Sequence, residues 1–211
     1  IPLVVGGSGQ YVLALIEGWT PPEIAPNPIL RSSLERVVER DGAMALHERL
    51  RQLNPMAAAT IEPNNVRRVI RALEVQQLSG QAYWNHKQRF APPFIPLVFG
   101  IHRQRTEIHH RIAERVDRML GAGFASEVQG LLDKGYQPGL PSFSAAGYRQ
   151  MAQYLTGDIT LEMAKDKIIV DTNKLARTQG TWFRRIEQCA WFGSLNQLTE
   201  SAMACLQEIR G

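Results

Sequence analysis

Ile1-Pro2-Leu3-Val4-Val5 runs directly into Gly6-Gly7-Ser8-Gly9, and the segment from Tyr11 to Gly18 then takes on helical character. A short apolar, β-branched run bounded by glycines is the pattern of a buried strand, and the glycines mark a tight turn. Strand, glycine turn and helix together predict one unit of an α/β fold. Beyond it the chain changes character. Pro21, Pro22, Pro26 and Pro28 stiffen the connection from Trp19 to Pro28 and mark a domain boundary.

From Pro28 to Gly80 the apolar spacing is helical. Leu30, Leu34, Val37 and Val38 form one stripe; Ala43, Leu46, Leu50 and Leu53 form a second, which Asn54-Pro55 breaks. Asn64 or Asn65 can cap a third helix, with Val66, Val69, Ile70, Leu73 and Gln77 on its stripe and Ser79-Gly80 at its end. A polar stretch with Trp84, His86, Lys87 and Arg89 follows, before Pro92-Pro93.

Leu97-Val98-Phe99-Gly100-Ile101 reads as a second strand. The next helix carries Ile108, Ile112, Val116 and Met119, and another carries Phe124, Val128, Leu131 and Leu132. Gly147 to Leu155 is helical, and Leu161 to Phe183 is a long helix with Leu161, Ala164, Ile168, Leu175 and Trp182 on one side. Two strands about 90 residues apart are few for a parallel sheet, which is covered on both faces and usually several strands wide. The expected fold is therefore α/β, mostly helical, with an incomplete parallel sheet. Residues 1–27 form one core part, 28–93 a helical insertion, 94–186 a second core part and 187–211 a C-terminal tail. Because the chain opens on Ile1 within an apolar strand, it is expected to be the C-terminal portion of a longer one.

Lys and Arg number 24 against 20 Asp and Glu in 211 residues, with a pI near 9.3, a balance that permits a polyanionic partner without requiring one. Cys189 and Cys205 lie far from any CxxC spacing, which argues against a disulfide framework and fits a reducing compartment. No apolar run approaches the ~20 residues of a membrane helix. The histidines, including the neighbours His109 and His110, have no ligand spacing, and no metal is assigned to them.

Several places could carry chemistry. Backbone N–H groups at the Gly6–Gly9 turn favour anions, and Ser8 adds a hydroxyl that donates and accepts. A plain βα turn accounts for the same residues. Arg67, Arg68 and Arg71 share an arc of the third helix and could grip phosphates; Glu74 on the same face allows a solvated helix with internal ion pairs instead. Arg115, beside Val116 on a buried face, could hold a diphosphate or simply snorkel. Gly147-Tyr148-Arg149, and Trp182 with Arg184 and Arg185, each combine an aromatic ring with a cation, a pairing suited to unpaired nucleotides. No GxxxxGK[ST] phosphate loop occurs in the 211 residues.

Taken in order, PLVVGGSGQYVLALIEG, RRVIRALEV with QQLSG, EIHHRIAERVDRMLGAGFASEV, LPSFSAAGYRQMAQYL and TWFRR resemble the tRNA dimethylallyltransferase family from residue 1 to about 186. The resemblance implies a P-loop-kinase-like sheet with an insertion that grips the anticodon stem-loop. It implies transfer of the dimethylallyl group of dimethylallyl diphosphate to the exocyclic amine of an adenine 3′ of the anticodon. Mg²⁺ is implied as cofactor and the cytoplasm as location, with neither a membrane nor a protein partner. Ser8 stands where the family has threonine in a GGT turn, near the target amine, and Arg115 resembles the arginine that holds the diphosphate. Arg31, Arg67, Arg68 and Arg71 match positions that contact tRNA, as do Ser144, Gly147, Tyr148, Arg149, Arg177, Trp182 and Arg184. The family's P-loop and its general-base aspartate are expected upstream of Ile1, which leaves this chain inactive alone. Asn173 and Thr178 stand where the family commonly has arginines. The alternatives are a non-catalytic tRNA-binding module descended from the enzyme and, on shared fold alone, a relative of nucleotide kinases.

Overall fold

The structure is a computed structural model that describes residues 1–19, 23–80 and 91–210, the side chains of Ile209 and Arg210 excepted. Pro21, Pro22 and the stretch with Trp84, His86, Lys87 and Arg89 lie outside the described residues. The chain forms two compact units. One is Gln10–Ile95; the other joins Ile1–Gly9 to Pro96–Gly211.

The first unit is helical. After α1 (Gly9–Glu17) comes α2 (Pro28–Leu53), whose Asn27 side chain caps the Leu30 amide at 3.0 Å while Pro28 presets the first turn. The two predicted stripes fall on α2 with Gly42 between them, and at φ 86° Gly42 kinks the helix. Only glycine holds that conformation without strain. Each half then turns its own apolar face inward: Leu34 and Val37 before the kink, Leu46 and Leu50 after it. Asn54 ends α2 and caps the short α3 (Pro55–Ala58) by accepting from the Ala57 amide at 2.9 Å. His47 Nε2 sits 2.8 Å from the Ile61 carbonyl, a structural contact. α4 (Val66–Ser79) closes the unit, with Val69, Ile70 and Leu73 in one core with Leu34, Leu46, Leu50 and Ala57. Gly80, at φ 65°, provides its left-handed end.

The second unit is α/β. β1 (Val98–Ile101) pairs in parallel with β2 (Cys189–Phe192), in the register Val98 with Cys189 through Ile101 with Phe192. Between them run α5 (Arg105–Gly121), α6 (Phe124–Asp133), a 3-10 turn (Pro141–Ser144), α7 (Tyr148–Leu155) and α8 (Leu161–Phe183); α9 (Leu195–Arg210) follows β2 and packs on both strands. Val116, Phe124, Val128, Phe143, Met151 and Ile168 bring α5 to α8 into one core. Thr160 caps α8 by accepting from the Met163 amide at 3.2 Å. Gly100 passes under Trp191, whose ring lies 2.7 Å from where a Cβ would stand. The α/β class and the helical majority are as expected.

Two details differ from expectation. Ile1–Val5 forms no strand: Ile1, Leu3, Val4 and Val5 are 80%, 88%, 65% and 86% exposed. Apolar, β-branched composition suits a strand but supplies no partner, and among the described residues the only ladder joins β1 to β2. Residues 187–211, expected as a tail, supply β2 and α9 instead. Cys189-Ala190-Trp191-Phe192 becomes a strand because β1 offers it an edge. No helix among the described residues is long and apolar enough to cross a membrane.

Candidate functional site

The glycine corner lies on the last turns of α8. A Cβ at Gly9 would stand 2.2 Å from the Trp182 Cβ and 2.6 Å from its Cγ. At Gly7 it would stand 2.6 Å from Gln179 Nε2. Gln179 and Trp182, three residues apart, share one helix face, so they support the corner from one side. Ser8 lies between the two glycines and is exposed. The Trp182 ring is half-buried, and the Arg185 guanidinium carbon lies 5.3 Å from its centroid, within cation–π range. Hydroxyl, amide, indole and guanidinium thus come from two short segments.

Arg115 is exposed on α5, between the buried Ile112 and Val116 and the Asp117 that pairs with Lys165 of α8 at 2.6 Å. No described ion pair or hydrogen bond engages Arg115. The unit has one groove of about 250 Å³ between α7 and α8, lined by Arg149, Gln153, Lys167 and Val170 among others, and another of about 330 Å³ beside α6. Neither is lined by Ser8 or Arg115, so no described cavity joins the two residues that the family resemblance assigns to one reaction. The α7–α8 groove mixes Arg149 and Lys167 with Asp166 and Asp171, and Asp171 accepts from Gln150 at 2.6 Å. The groove offers neither charge of one sign nor a ring for a ligand to stack on, both of which distinguish it from the glycine corner.

Around α7 the structure turns expected contact residues into packing residues. Gly147, at φ 97°, starts the helix, and a Cβ there would approach the Phe124 ring to 3.1 Å. The Tyr148 ring meets Phe124 edge-on at 5.2 Å and Phe143 at 6.3 Å. Its hydroxyl donates to the Glu127 carboxylate, and that bond raises the phenol's pKa. Tyr148 is thus occupied between α6 and α7 rather than presented for stacking. The Ser144 hydroxyl donates to the Pro141 carbonyl at 2.5 Å. Arg149 remains exposed.

The arginine arc of the helical unit divides in two. Glu74 is wholly buried. Its Oε1 accepts from Arg31 Nε at 2.9 Å and the Asn27 amide at 2.7 Å, and its Oε2 from Arg31 at 2.8 Å and Arg71 at 2.6 Å. Burial works against the charge, but these donors outweigh it and hold the carboxyl down at about 2. Arg71 also donates to the Ile24 carbonyl at 2.9 Å. Arg31 and Arg71 therefore fasten α4 to the start of α2, whereas Arg67 and Arg68 are exposed and engaged by no described partner. Arg177 and Arg184 are likewise exposed on or just beyond α8. Arg71, three residues from Glu74, is legible as an intrahelical partner, whereas Arg31 has no local signal, since it lies 43 residues away. Gln179 likewise has no local signal, since only the fold brings it against Gly7.

A parallel α/β unit with a glycine corner at one helix end, and a separate helical unit showing free arginines, define an α/β protein with a helical insertion. The IPP transferase family matches residues 1–186. A tRNA dimethylallyltransferase of Thermomicrobium roseum is 44% identical over 213 residues, covering 99% of this chain and 65% of its own length. The crystal structure of the full-length tRNA isopentenylpyrophosphate transferase of Bacillus halodurans is 37% identical, with a TM-score of 0.53 over 87% of this chain and 57% of that one. A eukaryotic dimethylallyltransferase structure shares the fold, at TM-score 0.69 and 20% identity, over 99% of this chain and 56% of its own. The chain belongs to the IPP transferase family, and it spans just under two thirds of the length of the relative from Thermomicrobium roseum.

Proposed function

We propose that the chain supplies the RNA grip and the acceptor side of the active site of a tRNA dimethylallyltransferase. The supporting observation is the glycine corner: Gly7 and Gly9 pack on Gln179 and Trp182 so closely that exposed Ser8 stands beside a half-buried indole. That arrangement suits a purine swung out of its stack. In this reading the adenine N6 forms a bond to C1 of dimethylallyl diphosphate, the C1–O bond breaks, and diphosphate leaves as an anion while N6 loses a proton. Ser8 orients the amine by hydrogen bonding. Arg115, with no competing carboxylate among the described residues, holds the diphosphate charge. Arg67 and Arg68 contact RNA phosphates, joined by Arg149, Arg177 and Arg184. Acting on tRNA, the protein works in the cytoplasm.

Among the described residues no group of three His, Cys, Asp or Glu could hold a metal ion, and every role here is given to a side chain. None of the 211 residues is assigned as general base, and no GxxxxGK[ST] occurs among them. The chain alone is therefore a binder without appreciable transfer. The same fact favours, as a second reading, a non-catalytic tRNA-binding module. Supplying tRNA and labelled dimethylallyl diphosphate tests both. Binding of the anticodon stem-loop without transfer supports the division of labour, and substantial transfer by these residues alone overturns it. A GxTxxGK[ST] with a following aspartate, encoded upstream of Ile1, decides for the enzyme over the module.

A further inference from the structure

We infer that Gln179 reads the edge of the base presented to Ser8 and selects adenine through its N6 and N7 positions, an assignment that rests on the tRNA reading above. The carboxamide lies against Gly7 with its Nε2 end nearest: Nε2, Cδ and Oε1 are 2.6, 3.2 and 3.4 Å from where a Cβ would stand. Glycine is what admits it there. None of the described hydrogen bonds uses this amide, so its donor and its acceptor are both available. The side chain is half-buried, so part of it remains accessible to a ligand.

A carboxamide presents an acceptor and a donor at the spacing of adenine N6–H and N7, and this bidentate pairing is the usual way glutamine recognises adenine. Guanine places O6 where adenine has its amine. Both groups on that edge then accept, and Oε1 would face an acceptor. Unsubstituted purine offers N7 alone. Trp182, one turn along the same face, gives the ring a surface to stack on, with Arg185 beside it. Glutamine rather than a charged residue at this place makes the corner selective among bases instead of merely attractive to phosphate. Gln179 is thus a specificity-determining residue.

The complete 211-residue chain is titrated with three synthetic anticodon stem-loops that differ only in having adenine, guanine or unsubstituted purine 3′ of the anticodon. The expected result is tighter binding of the adenine hairpin, by about 10-fold over guanine, from the ~1–3 kcal/mol of a good bidentate pair. Gln179→Met, of similar size but without the amide, should bring the three affinities together. Gln179→Glu keeps the acceptor for N6–H and loses the donor to N7. It should still prefer adenine to purine, and it decides the matter if the methionine variant does not fold. An unchanged adenine-to-guanine ratio in the folded methionine variant, loss of the adenine-to-purine preference in the glutamate variant, or equal binding of all three hairpins by the wild type overturns the role of Gln179 while leaving tRNA binding intact. Failure to bind any hairpin better than a duplex of equal charge overturns the tRNA reading itself.

Discussion

Arg31 and Glu74 meet through two parallel hydrogen bonds, 2.9 and 2.8 Å long, across 43 residues of sequence. The carboxylate is wholly buried, whereas the guanidinium is 38% exposed at its side chain. Removing the carboxylate orphans three donor groups at once, whereas removing Arg31 leaves two of them on it, so the two sides of the pair are not equivalent. Glu74→Ala leaves Arg31, Arg71 and the Asn27 amide without their common acceptor, and should lower stability by about 3 kcal/mol in urea titrations. Arg31→Ala, which leaves Arg71 in place, should cost less. Equal losses for the two would mean that the hub is not centred on Glu74.

The same group gives a pH dependence with a defined sign. Its carboxyl is lowered from 4.5 to about 2 in the folded protein, so the folded state binds this proton less readily than the unfolded chain does. The stability it contributes is complete above pH 4.5 and drains away as pH falls toward about 2. Glu74→Gln should flatten that portion of the stability curve. Acid unfolding monitored by tryptophan fluorescence measures it.

Arg67 and Arg68 can be separated from their neighbour. Replacing both with Gln should weaken RNA binding and reduce the salt slope by about 2, since each phosphate contact contributes about 1. Arg71 is best left untouched, because its loss disturbs Glu74. Binding titrated from low to moderate salt provides the slope; no change in it would leave these two arginines as solvated charges.

At the glycine corner the two positions should behave differently. Gly9→Ala drives a methyl group into the Trp182 stem at 2.2 Å and should cost about 2 kcal/mol or more. Gly7→Ala meets only the end of a flexible glutamine and should be milder. Melting temperatures of the two variants rank them.

Gly180 has open space around it within α8. Gly180→Ala should therefore stabilise the protein, by roughly 0.5–1 kcal/mol. A lower melting temperature would show that α8 needs the looseness there.

Helical parts of the fold were legible in the sequence because their burial repeats every three to four residues. Val69, Ile70 and Leu73 on α4, and Ala164 and Ile168 on α8, lie inside as their spacing predicts. Strands gave less. Val98–Ile101 could be read from the apolar run it sits in, but Cys189–Phe192, of the same length, has no alternation of its own, with Ala190 and Trp191 both facing solvent. Ile1–Val5 has strand composition without a strand, since composition cannot report whether a neighbouring edge exists. The site followed the same division. Ser8, Arg115 and Trp182 could be picked out by residue type and position, whereas the engagement of Arg31 with Glu74 and of Tyr148 with Phe124 depends on packing between distant segments. Gln179 matters only because Gly7 lies against it.

Val98 and Cys189 are hydrogen-bonded neighbours, yet about 90 residues of helices separate them along the chain. During synthesis the first of the two must wait unpaired until the roughly 90 residues up to the second have been made. Helices α5 to α8 can assemble meanwhile through short-range contacts, and the strand ladder is the last piece to close. Removing residues 187–211 would consequently take away more than a peripheral helix: it would deprive Val98–Ile101 of its one partner strand among the described residues and leave a sticky ribbon exposed.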